Sequence, residues 1–219
     1  MEILSHKSRR FVVHKGFLIV FEGIDGAGKS TQAEILMKTL QEKGFSVVYF
    51  REPSEGKWGR EIKMKAAHPD SLSPEEELEL FLKDRKENVE KNLKPALRGK
   101  RIVLLDRYYF STIAYQGAKG IDQERIKRMN EGFVVEPDLV FFLDVDPQEG
   151  LDRIKNRRKK DKLFERAEYL VRVREIFRSF QGEKFIHIDA SKPKKEISAQ
   201  IEKISLDFLS GISKVGVRP

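Results

Sequence analysis

The chain has 219 residues, 39% hydrophobic and 36% charged, with a formal net charge of +8 and no cysteine. That length suits one α/β domain, and the missing cysteine excludes disulfides, thiolate nucleophiles and thiolate metal sites. No apolar run approaches the ~20 residues of a membrane span, and the opening MEILSHKSRRFVVHKG has no signal-peptide pattern, so the expectation is a cytoplasmic protein with no membrane partner.

Residues 1–16 read as an N-terminal extension. Phe17–Glu22 (FLIVFE), Val47–Phe50, Ile102–Leu105, Leu139–Leu143 and Phe185–Ile188 read as strands, because near-continuous apolar runs suit strands buried on both faces of a parallel sheet. Amphipathic stretches separate them, which is the βαβ pattern. Ser73, Pro74 and Glu76 predict a capped helix start. That helix runs to about Leu97, with Leu78, Leu82, Val89 and Leu93 as its core stripe and Pro95 bending its last turn. A final helix is predicted over Lys195–Leu209, followed by a loosely ordered tail from 210 to 219. Basic residues are spread along the chain, with one concentrated run at Arg157-Arg158-Lys159-Lys160. Spread charge reads as solvated surface and weighs against a nucleic-acid partner, though a cleft that gathers phosphates would also use it.

Between the first strand and a helix-compatible run stands Gly23-Ile24-Asp25-Gly26-Ala27-Gly28-Lys29-Ser30, a fit to G-x-x-x-x-G-K-S/T at every required place. Glycines let backbone N–H groups turn around phosphate oxygens, and the helix N-terminus beginning near Thr31 adds partial positive charge. Lys29 can reach the β- and γ-phosphates of a nucleotide such as ATP, and the Ser30 hydroxyl can bind Mg²⁺. Asp106 follows a second buried strand, where an acid can hold magnesium's water shell opposite Ser30. A phosphate loop alone does not separate kinases, GTPases and motor ATPases. No N-K-x-D-like guanine-reading segment is found, so the acceptor side must decide.

Four further segments follow in order: REP at Arg51-Glu52-Pro53, the Phe81-x-x-x-Arg85 pair, DRYYFSTIAYQG from Asp106, and PDLVFFLDVDP over Pro137–Pro147. With FEGIDGAGKSTQ and the FER…YLVRVREIF stretch from Phe164, they resemble the thymidylate kinase family over about residues 17 to 209. The resemblance implies a P-loop NTPase fold, with a central five-stranded parallel sheet flanked by helices and a short basic lid at about 153–163. It implies transfer of the γ-phosphate of ATP·Mg²⁺ to dTMP, and a homodimer.

Carried over residue by residue, Arg107 grips the acceptor's phosphate, as a planar, permanently charged fork can. Lys63 stands where the family usually has a second phosphate-binding arginine. Phe81 matches the residue that stacks on thymine and Arg85 the one that meets the base edge. Helix spacing independently puts both on one wall. Thr112 and Gln116 match base-contacting hydrogen bonders, and Tyr115 matches the ring beneath the sugar. Asp25 resembles the acid near the 3′-hydroxyl and the transferring phosphate, and Glu52 and Pro53 border the same pocket. Tyr108 and Tyr109 read as packing residues.

Phosphoryl transfer needs positioning and charge neutralisation. Gly26 and Ala27 stand where some members of the family place a loop arginine, so the resemblance implies lid arginines instead. Arg153, Arg157 and Arg158 are the candidates, and the sequence does not choose among them. Ala190 and Ser191, in IDASKPKKEI, resemble the loop that borders adenine. Departures from the family's usual segments, REPSEGKWG with Trp58, and Lys83 and Asp84 inside the Phe81–Arg85 interval, lie nearer the acceptor than the phosphate loop. Other nucleoside monophosphates stay open as acceptors, as does a non-catalytic P-loop protein with a nucleic-acid partner.

Overall fold

Five short apolar runs pair edge to edge, which satisfies their backbone hydrogen bonds, and helices packed on the sheet cover their faces. The computed structural model describes residues 15–66, 72–154 and 163–215, without the side chains of 163–166 and 212–215. Within it β1 (Phe17–Glu22), β2 (Val47–Arg51), β3 (Ile102–Asp106), β4 (Leu139–Asp144) and β5 (Phe185–Asp189) form one parallel sheet in the order β2-β3-β1-β4-β5. β1 is central and buried throughout, with Ile19 opposite Leu104 on one side and Leu139 on the other. Each strand lies within a residue of its predicted bounds.

Helices cover both faces: α1 (Lys29–Glu42), α2 (Lys57–Lys65), α3 (Pro74–Asn88), α4 (Lys94–Arg98), α5 (Tyr109–Gly117), α6 (Gln123–Glu131), α7 (Pro147–Ile154), α8 (Leu163–Ser179) and α9 (Lys194–Val215). The predicted capping box is formed, with the Ser73 hydroxyl accepting from the Glu76 N–H and the Glu76 carboxylate accepting from the Ser73 N–H. Pro95 does not end the long helix. It lacks an N–H, and the ladder loosens ahead of it into a π turn over Val89–Leu93 before α4 resumes. Val89 and Leu93 stay fully buried, so the stripe survives the bulge. The last helix continues past Leu209 to Val215, where the sequence suggested a loose tail. Gly211 lies within it, and one internal glycine costs a helix only about 1 kcal/mol.

The sheet sets the site. In parallel α/β folds, ligands bind over the carboxyl ends of the strands. Here those ends present the phosphate loop after β1, Arg51 at the end of β2 and the Asp106-Arg107 pair at the end of β3. No helix among the described residues is long and apolar enough to cross a membrane.

Candidate active site

The loop from β1 to α1 is shaped by glycine. Gly26 and Gly28 adopt left-handed φ values of 83° and 92°, and a Cβ at Gly26 would sit 2.0 Å from the Gly150 carbonyl of α7. The loop therefore packs closely on α7 while its backbone faces a cavity of about 600 Å³. Asp25 through Thr31 line that cavity. Gly23 and Ile24 do not. They form the buried base of the loop, where the Ile24 carbonyl accepts a 2.8 Å hydrogen bond from Lys29 Nζ. Burial lowers the Lys29 pKa to about 8, with the Arg107 charge adding to the effect. The Ser30 hydroxyl donates to Asp106 Oδ2, which also accepts from the Tyr49 hydroxyl at 3.1 Å. Asp106 Oδ1 is buried with no hydrogen-bond partner among the described residues.

Arg107 follows with a left-handed φ of 69°, a conformation non-glycine residues rarely hold. The turn drives its guanidinium back across the loop. Nη2 donates to Asp25 Oδ1 at 2.6 Å and to the Tyr115 hydroxyl at 3.2 Å, and Nη1 donates to Ser111 Oγ at 3.0 Å and the Gly23 carbonyl at 3.3 Å. The group also lies over the Tyr115 ring, 4.9 Å from its centroid. The Asp25 N–H donates to the Tyr115 hydroxyl at 3.1 Å, so loop and ring are tied from both directions.

A second cavity of about 160 Å³ opens on the far side of that pair, and Asp25 and Arg107 line both cavities. Its walls hold Glu52, Pro53, Phe81, Arg85, Thr112, Tyr115 and Gln116, the residues the sequence pointed to. Phe81 is half-buried and faces the cavity instead of the core. Arg85 is 1% exposed and spends its guanidinium on three partners at 2.8 Å: Glu52 Oε2, Asn130 Oδ1 and Thr112 Oγ1. Burial raises the Glu52 pKa, against which the Arg85 charge and the Asn88 amide hold its carboxylate. Gln116 Nε2 donates to Glu77 at 2.9 Å, which leaves its buried Oε1 as an acceptor with no partner among the described residues.

Two expected residues, Lys63 and Ser191, fall differently. Lys63 lines neither cavity, and its Nζ pairs with Glu55 at 2.6 Å on the surface. Ser191 turns its hydroxyl to Asp189 at 2.6 Å, while its neighbour Ala190 lines the large cavity. Arg153 lines the large cavity too, with Nη2 donating to the Ala190 carbonyl at 2.8 Å and to Glu149 at 2.6 Å. Arg157 and Arg158 lie outside the described residues.

Other residues went unread in the sequence. Arg51 lines the large cavity, and its side chain has no hydrogen bond or ion pair among the described residues. Tyr169 of α8 lines the small cavity and donates to the Tyr115 carbonyl at 2.8 Å. Glu22 reads as the end of an apolar strand, yet it is a fully buried carboxylate whose pKa burial raises to about 7. An acid inside an apolar run is itself a signal, since a buried charge needs partners. The departures at Asp84 and Ser54 belong together: buried Asp84 accepts from the Ser54 N–H at 2.8 Å and its hydroxyl at 2.5 Å, locking the loop beside Glu52 and Pro53.

Comparison with known proteins identifies the family. A family model described as thymidylate kinase matches residues 21–201. The thymidylate kinase of Akkermansia muciniphila is 48% identical over 195 residues, 89% of this chain and 94% of that one. That of Brachyspira hyodysenteriae is 44% identical over 187 residues, 85% and 92% of the two chains. The crystal structure of thymidylate kinase from Ehrlichia chaffeensis matches with a TM-score of 0.69 at 31% identity, covering 86% of this chain and 98% of that one. The chain belongs to the thymidylate kinase family.

Proposed function

We propose that this protein is a thymidylate kinase that transfers the γ-phosphate of ATP to dTMP, giving ADP and dTDP. The observation that carries the reading is the meeting of two cavities at Asp25 and Arg107. The larger is walled by a phosphate loop, and the smaller has an aromatic wall and hydrogen-bonding groups that can meet a base and a sugar. A phosphate group belonging to each ligand would then approach the same arginine.

Each residue has a task in that reading. Asp25 to Thr31 cradle the donor phosphates, and Lys29 neutralises the β- and γ-phosphates. Arg107 holds the acceptor's phosphate so that one of its oxygens attacks the γ-phosphorus while the bond to the β–γ bridging oxygen breaks. Asp25 keeps Arg107 in place from the loop side. Arg153, Arg157 and Arg158 are the candidates for the cation that the lid at about 153–163 supplies. Phe81 stacks on the base, Gln116 Oε1 offers it an acceptor, and Arg85 with Thr112 reads its edge, with Glu52, Pro53 and Tyr115 closing the sugar side. Ser30 and Asp106 are hard oxygen donors, and the spare buried Oδ1 of Asp106 fits a magnesium ion that arrives with ATP. Bound there, the ion would neutralise charge on the β- and γ-phosphates.

The family resemblance extends the proposal to a homodimer whose working domain spans about residues 17–209, and the sequence pattern and spread basic charge extend it to a cytoplasmic protein without a nucleic-acid partner. Purified protein with ATP, Mg²⁺ and each nucleoside monophosphate in turn tests the reaction. Turnover with dTMP well above the others supports it. Turnover with another monophosphate moves the error to Phe81, Arg85 and Gln116, and no turnover with any of them rejects the reading.

A further inference from the structure

The carboxylate of Glu22 does two jobs that need different chemistry. It ends β1 immediately before the phosphate loop and has no solvent exposure. Its Oε1 accepts from the backbone N–H groups of Tyr108 at 2.8 Å and Ser111 at 3.2 Å, capping the first turn of α5. Its Oε2 accepts the Ser111 hydroxyl proton at 2.5 Å. A serine has one proton to give. Once that proton is committed to Glu22, Ser111 Oγ presents only lone pairs elsewhere, and Arg107 Nη1 donates into one of them at 3.0 Å.

We propose that Glu22 is a positioning residue: it fixes the hydrogen-bond polarity of Ser111 and, through Ser111, aims the Arg107 guanidinium at the acceptor's phosphate. The inference rests on the reading of Arg107 given above. Capping alone would be served by any acceptor, including a glutamine carbonyl. The contact to Ser111 calls for an acceptor that does not donate, which the ionised carboxylate supplies and an amide at that position does not. The relay also ties the strand that launches the donor loop to the arginine that serves the acceptor, so both substrates are registered against β1.

Glu22→Gln separates the two jobs. The amide oxygen keeps the cap, while the amide nitrogen donates to Ser111 Oγ and leaves the serine proton facing the Arg107 donors. Flipping the amide would instead set its NH₂ against two backbone N–H groups. Ser111→Ala removes the relay and leaves the Glu22 cap in place. Steady-state kinetics of the full chain, with wild type, both single variants and the double variant, provides the test. Each single variant is expected to raise KM for dTMP about tenfold, the loss of one charge-assisted hydrogen bond, while KM for ATP stays within about twofold. The double variant is expected to be no worse than the weaker single variant, because both break one chain. Equal shifts in both KM values, or effects that multiply in the double variant, overturn the relay. Wild type without dTMP turnover overturns the acceptor reading, and the relay with it.

Discussion

Asp25 and Arg107 form a 2.6 Å ion pair on the wall shared by the two cavities. Neither partner is sealed in: their side chains are 38% and 18% exposed, so both face ligand space as well as each other. The pair holds a guanidinium fork ready before any substrate binds, which reduces the ordering needed at the moment of transfer. Removing the fork is therefore expected to be costly. Arg107→Ala should lower kcat/KM for dTMP by roughly 10²- to 10³-fold, about 3–4 kcal/mol of transition-state stabilisation. Arg107→Lys should recover only part of this, since it restores charge without two-pronged geometry. Initial rates over a dTMP series at saturating ATP measure both, and an alanine variant with unchanged KM and kcat would remove Arg107 from the acceptor site.

Arg85 carries a structural burden alongside its place in the base pocket. It is the counter-charge of buried Glu52, whose raised pKa reflects the burial of the carboxylate. Breaking a buried pair from one side leaves an uncompensated charge, at about 3–5 kcal/mol. Arg85→Ala should therefore lower the unfolding free energy by that order, read as a lower urea midpoint, as well as weaken dTMP turnover. Adding Glu52→Gln should recover much of the stability without recovering turnover. If Arg85→Ala alone left the urea midpoint unmoved, the pair would not be holding this wall together.

The strands were legible because burial on both faces writes itself as unbroken apolar runs, and the phosphate loop because glycines and Lys29 have few other uses at that spacing. Helical periodicity put Phe81 and Arg85 of α3 on one wall of the acceptor cavity, whereas Thr112 and Gln116 of α5 were legible only through the family resemblance. What stayed hidden were contacts between elements distant in sequence. Glu22 reaches Ser111 across 89 positions, and Tyr169 reaches Tyr115 across 54. No local pattern encodes either. The π turn before Pro95 was hidden for a related reason, since packing of Val89 and Leu93 decides whether proline ends a helix or only loosens it.

Arg51 and Lys63 invite a direct comparison. Tyr49 and Arg51 are two apart on β2, so their side chains leave the sheet on the same face, and the Tyr49 hydroxyl contacts Asp106 there. Arg51 lies opposite Asp106 in the strand register and lines the large cavity. Lys63 is occupied by Glu55 and lines neither cavity. Arg51→Ala is accordingly expected to lower kcat by at least about tenfold, because an unpaired guanidinium there can meet charge on the transferring phosphoryl. Lys63→Ala should change KM for dTMP by less than about threefold, as removal of an exposed ion pair would. The reverse ranking in parallel assays would mean that Lys63 leaves Glu55 and enters the acceptor cavity during turnover.

Lys29 gives the ligand-free protein a distinct pH response. Burial, with Arg107 close by, lowers its pKa from the ordinary 10.5 to about 8. Between those two values the unfolded chain binds a proton that the folded chain does not, so this group's contribution to stability rises with pH across that window. Donor phosphates reverse the preference by favouring the charged ammonium. At about pH 9, where ATP is fully ionised, binding should therefore draw a proton onto Lys29, and ATP affinity should fall as pH climbs above about 8. Titration calorimetry at about pH 9 in two buffers of different ionisation enthalpy reads the proton directly, as a buffer-dependent heat. Equal heats in the two buffers would mean that Lys29 is already charged without ATP, and that burial in the loop does not control it.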